Sequence, residues 1–155
     1  MKIIIDAMGG DLAPQAPVRG GLQAAREFGV EVLFTGNEAA IRHVMKQDGY
    51  DELPAGVEIV NCTEVVDNCD DPSIVWRKKP DSSMTVGLKL LKASRGNAFI
   101  SAGSTGALLS GATLLVRRIR GVKRAAVAPS LPTGRGRAVL IDAGANSECT
   151  VEQLV

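Results

Sequence analysis

Short apolar runs alternate along this chain with stretches in which apolar residues recur every three to four positions. That alternation predicts parallel βαβ units. Ile3-Ile4-Ile5 reads as a strand buried on both faces. Pro14 and Pro17 mark a helix start; Val18, Leu22 and Ala25 share one face before Gly29 ends it. Val32-Leu33-Phe34 predicts a second strand, and Asn37 caps a helix carrying Ile41, Val44 and Met45 up to Gly49. A third strand, Val57 to Val60, leads into a polar, irregular stretch from Cys62 to Pro80. A helix follows from Ser82, with Met84, Leu88 and Leu91 on one face. Ala98 to Ser101 is a strand, and Ser104 and Thr105 open a helix holding Leu108, Leu109, Ala112 and Leu115. Ala125–Ala128 and Ala138–Ile141 predict two more strands, joined by a short Pro129–Gly136 link into an antiparallel hairpin.

The expected fold is therefore α/β, a mostly parallel sheet with helices on both faces and a hairpin near the C-terminal end. Thr150-Val151-Glu152-Gln153 is a capping-box pattern two residues before the sequence stops. We expect residues 1–155 to be the N-terminal portion of a single larger domain.

Composition narrows the function classes. Aromatics are 3% of 155 residues while Gly numbers 17, so small and aliphatic side chains build the core. No apolar run reaches the length of a membrane span, and the N-terminal run is too short for a signal peptide, so a cytoplasmic protein is expected. Cys62, Cys69 and Cys149 form no C-x-x-C pair and His43 is the sole histidine, so neither a metal site nor a disulfide framework is expected. The net charge of +1 hides a strong asymmetry. Residues 1–76 carry five Lys/Arg against thirteen Asp/Glu; residues 77–155 carry thirteen against four. A basic half suits anionic ligands or an acidic partner, unless the two halves interleave in space.

Candidate chemistry lies in glycine-rich turns at strand ends. They are Asp6-Ala-Met-Gly9-Gly10-Asp11, Ser101-Ala-Gly103-Ser104-Thr105-Gly106, Gly134-Arg-Gly136 and Asp142-Ala-Gly-Ala-Asn146. In open α/β sheets ligands bind beyond the carboxyl ends of strands, where glycine lets amides approach an anion. Gly103–Gly106 fits best, because Ser104 and Thr105 add hydroxyl donors. Each turn taken alone is better explained by tight chain reversal and helix capping; several of them at strand ends in one chain point toward a site. Arg77-Lys78-Lys79 before Ser82 and Ser83 offers a second phosphate-binding arrangement, or simply a solvated charge run. No P-loop and no helix-opening G-x-G-x-x-G occurs, so no nucleotide cofactor is expected.

In order and spacing these segments resemble the phosphate acyltransferases of fatty acid and phospholipid synthesis. The likeness rests on Asp6-Ala-Met-Gly-Gly-Asp11-x-Ala-Pro14, Lys78-Lys-Pro-Asp-Ser-Ser-Met84, Ser101-Ala-Gly-Ser-Thr-Gly-Ala-Leu108, Leu131-Pro-Thr133 and Asp142-Ala-Gly-Ala-Asn146, and covers the whole chain. Ser104 stands where that family often has Asn, and Ala143 where it often has Val. The resemblance implies formation of acyl phosphate from acyl–acyl carrier protein and orthophosphate, without a cofactor and with no nucleic acid partner. It implies a fold like isopropylmalate dehydrogenases and phosphotransacetylases, here truncated because family members are about twice as long. It also implies a homodimer, with peripheral membrane association through a helix beyond Val155. On this reading Ser104, Thr105, Asp142 and Asn146 are catalytic, and Gly9, Gly10, Lys78, Lys79, Ser82, Ser83, Gly103 and Gly106 bind phosphate. Two other readings are weighed against it: a dehydrogenase of the isopropylmalate type, and a non-catalytic module that binds phosphate-bearing ligands.

Overall fold

The computed structural model describes residues 1–122 and 125–143. Asn146, Cys149 and the Thr150 capping box lie outside the described residues. Four strands form one parallel sheet: β1 (Lys2–Asp6), β2 (Glu31–Gly36), β3 (Val57–Asn61) and β4 (Ala98–Ile100). Their order is β3-β2-β1-β4. Helix α1 (Gln15–Phe28) joins β1 to β2, and α2 (Glu38–Gln47) joins β2 to β3. Between β3 and β4 lie a single turn α3 (Val75–Lys78) and helix α4 (Ser83–Lys92).

The expected two-sided burial is present. Ile5, Val32 and Phe34 pack with Val18, Leu22, Ile41 and Val44 of α1 and α2. Ile4 and Leu33, one residue out of phase, are also fully buried, on the face where α4 lies against β1 and β2. A second cluster joins Met84 and Leu88 of α4 to Val75, Ala107 and Phe99. Asn37 caps α2 through its side chain at the Ala40 amide, as the sequence predicts, and Ser82, where the next helix was expected to start, caps α4 at Thr85.

Helix α5 (Thr105–Gly111) begins where expected, with Ser104 accepting the Ala107 amide. It then widens into a π-helical turn over Ala112–Val116. Two expectations need correction. Val75–Lys78 is helical inside a stretch read as irregular; one turn is too short to show a period. The hairpin exists, but its strands are β5 (Ser130–Thr133) and β6 (Gly136–Val139), antiparallel, with Thr133 opposite Gly136. Residues 125–129 form no strand. The two-residue Gly134-Arg135 turn sets this register and draws the expected link itself into the ladder. All eight hairpin residues are exposed, which explains why burial periodicity misplaced the strands.

Candidate functional site

The chain leaves β1 to one side, toward β2 and β3, and returns on the other side as β4. The gap between the β1 and β4 ends is thus a topological switch point, where α/β sheets hold ligands. Both glycine-rich turns begin there. Parallel register sets Ile5 beside Ile100, so Asp6 and Ser101, the next residues along, meet at the strand ends.

Asp6 is 2% exposed. Its Oδ2 accepts the Ser101 hydroxyl at 2.7 Å, and its Oδ1 accepts the Met8 amide at 3.1 Å. Ser101 Oγ in turn accepts the Gly103 amide at 3.1 Å. Gly9 seals the contact. A Cβ there would stand 2.7 Å from Asp6 Oδ2, 2.8 Å from Ser101 Oγ and 2.9 Å from the Gly103 nitrogen. Gly10 has φ +97°, a conformation that favours glycine, and lies against Ala102. Beside this junction, between α1 and β4, opens a largely apolar cavity of about 590 Å³.

Past the junction, Ser104 caps α5, while Thr105 and Gly106 are exposed. Amides in the first turn of a helix have no intrahelical acceptor, so those of Thr105 and Gly106 find none within α5. Gly103 was expected to bind phosphate through its amide. That amide is instead held by Ser101, so Gly103 fixes the turn. Pro72, just before α3, packs beside Gly106, where a Cβ would lie 3.2 Å from its Cγ.

The basic run behaves differently from the expected anion site. Lys79 Nζ is 2.5 Å from Asp70 Oδ2 and donates to the Val65 carbonyl at 2.9 Å. Ser82 and Ser83 are buried, at 0% and 1% exposure. The Ser82 amide is bonded to Lys79 O and the Ser83 amide to Glu64 O. Asp81 accepts both the amide and hydroxyl of Thr63. These contacts anchor the segment after β3 to the start of α4. Lys79, Ser82 and Ser83 are thus engaged in structural contacts, in place of the open anion-binding arrangement expected of them. Lys78 alone of the four is exposed.

Asp142, expected to be catalytic, follows the hairpin at φ +57° and accepts the Val127 amide at 3.4 Å. Asn146 lies outside the described residues. Among the described residues no group of three or more His, Cys, Asp or Glu is placed to hold a metal ion. Sequence reasoning did not pair Asp6 with Ser101. The signal was there in principle: each immediately follows the apolar run of a neighbouring parallel strand.

The whole chain, residues 1–155, matches the family described as fatty acid synthesis protein. It is 46% identical over 155 residues to the phosphate acyltransferase of Alkaliphilus oremlandii, covering all of this chain and 46% of that protein. It is 44% identical over 156 residues to the phosphate acyltransferase of Thermoanaerobacter pseudethanolicus, covering all of this chain and 45% of that protein. In fold it is similar to the EutD phosphotransacetylase from Staphylococcus aureus, with TM-score 0.68 and 18% identity over 96% of this chain and 48% of that one. A phosphotransacetylase from Streptococcus pyogenes gives 0.62 and 19%, over 90% and 45%. The phosphotransacetylase likeness expected from the sequence holds at the level of fold. The chain spans about half the length of the curated relatives it matches. With its full length matched, and its two longest quoted motifs meeting at one switch point, the chain belongs to the fatty acid synthesis protein family.

Proposed function

We propose that residues 1–155 are the phosphate-holding, N-terminal portion of a single acyltransferase domain. The enzyme would transfer an acyl group to phosphate, as the name of its relatives suggests, and we take acyl–acyl carrier protein as the donor. The observation that carries this reading is the meeting of two glycine-rich turns at the switch point, beside the open first turn of α5. Phosphate sits against the Thr105 and Gly106 amides, with the Ser104 and Thr105 hydroxyls at hand and Gly9 and Gly10 forming the floor. Lys78, on α3 beside α5, supplies positive charge. Asp142 and Asn146 complete the proposed catalytic set.

A phosphate oxygen attacks the thioester carbonyl, a tetrahedral oxyanion forms, and the carbon–sulfur bond breaks as the thiolate leaves with the carrier. Phosphate is itself the nucleophile, so the protein's task is alignment and charge stabilisation. Each well-placed donor is worth about 3–4 kcal/mol in such a transition state. The basic second half suits an acidic carrier protein. The working protein is a cytoplasmic homodimer, peripherally bound to membrane, with its cleft completed by residues beyond this chain.

The test is acyl phosphate formation by the full-length protein. Ser104→Ala and Thr105→Ala should raise the KM for phosphate and lower kcat. Unchanged turnover in folded variants rejects the assignment. Phosphate binding without any acyl phosphate formed would instead identify a non-catalytic module.

A further inference from the structure

We propose that Asp6 and Ser101 are positioning residues, a latch between β1 and β4 that holds the phosphate-facing turn in its working shape; this rests on the function proposed above. Neither is taken to touch the reacting atoms.

The case begins with a cost. Asp6 is 2% exposed, and among the described residues no cation pairs with it. A buried carboxylate without a cation is expensive unless its oxygens are well satisfied. Here one oxygen takes the Met8 amide and the other the Ser101 hydroxyl. The direction of the second bond matters. A carboxylate can only accept, so the Ser101 proton is committed to Asp6 and the Ser101 oxygen is left to accept from Gly103. The relay Asp6 to Ser101 to Gly103 thus fixes the turn immediately before the Ser104 cap and the Thr105 and Gly106 amides. Gly9 closes the relay from the other side, leaving no room even for a methyl group. Two strand ends distant in sequence are locked together four residues before Thr105, where the proposed anion site begins.

Asn at position 6 preserves shape and still accepts from Met8, but presents an N–H2 to Ser101 in place of an acceptor. Asp6→Asn therefore separates latching by charge from mere space filling. In the full-length enzyme, Ser101→Ala and Asp6→Asn should each raise the KM for phosphate about tenfold, the loss expected for one charge-assisted hydrogen bond. The KM for the acyl thioester should hold while the melting temperature falls by several degrees, because a buried carboxylate loses a partner, and Ser101→Thr should recover most of both losses. Wild-type phosphate kinetics in the folded variants, or equal losses for both substrates, would overturn the latch. If Ser101→Ala does not fold, Asp6→Asn decides. Thr105→Ala run in parallel separates the two claims. Weakened phosphate binding in Thr105→Ala with no effect at Ser101 and Asp6 sinks the latch alone; no effect in any of the three removes the site itself.

Discussion

Lys79 reaches back across nine residues to Asp70, with Nζ 2.5 Å from Oδ2, and ties the loop after β3 to the turn before α4. That pairing turns a residue with the look of a phosphate ligand into a structural one. Hydrogen bonding to Lys79 holds the Asp70 carboxyl below the usual carboxylate range. A lowered folded pKa gives stability that is present above the unfolded value of about 3.9 and is lost as pH falls through the folded one. Lys79→Ala should lower the melting temperature at neutral pH, with the difference from wild type shrinking under acid. Phosphate KM should change little, whereas Lys78→Ala should raise it. Thermal scans across pH and phosphate kinetics check both halves.

Glycines at two positions should respond in opposite directions. Gly9→Ala forces a methyl group within 3.0 Å of three polar atoms and should cost about 1–3 kcal/mol. Gly20, exposed in the middle of α1, has nothing within 4 Å of an added Cβ. Gly20→Ala should stabilise by about 0.5–1 kcal/mol through helix propensity. Urea unfolding of both variants measures the contrast.

The thiols should differ in reactivity. Burial, with Asp81 nearby, pushes Cys62 up to about 11, while Cys69 is exposed. A raised folded pKa favours the neutral thiol. Its contribution is intact below the unfolded value of about 8.5 and is lost as pH climbs toward 11. Alkylation at about pH 8, mapped by mass spectrometry, should mark Cys69 and spare Cys62 until the protein unfolds.

Much of this arrangement is legible in sequence because burial wrote it there. Ile3-Ile4-Ile5 and Val32-Leu33-Phe34 are apolar on every residue, and only a two-sided parallel strand explains that. Asn37 and Ser82 sit where helix caps belong and act as caps. Where nothing is buried, the pattern carries less. β5 and β6 are exposed throughout, so their register follows the Gly134-Arg135 turn and not hydropathy. The basic run misleads for a different reason. Charge is visible in sequence, but the carboxylate that pairs with Lys79, Asp70, is found only by a loop folding back. The Asp6–Ser101 contact spans 95 residues and needs the register of β1 against β4 before it can be seen.

Charge should also shape the encounter with a carrier protein. Arg117, Arg118, Arg120, Arg135 and Arg137 are all exposed. If they steer an acidic carrier, the KM for acyl carrier protein should rise with salt. Screening shortens from about 8 Å at 0.15 M to about 3 Å at 1 M. Phosphate-dependent kcat at saturating carrier should be far less sensitive. A carrier KM indifferent to ionic strength argues for a different docking surface.

The most direct measurement of the central claim is a titration of the isotopically labelled full-length protein with orthophosphate, followed by amide NMR. Saturable shifts centred on the Thr105 and Gly106 amides, with smaller ones at Gly9 and Gly10, are the predicted result. Saturable binding that leaves those four amides unmoved, or no binding at all, would contradict the account.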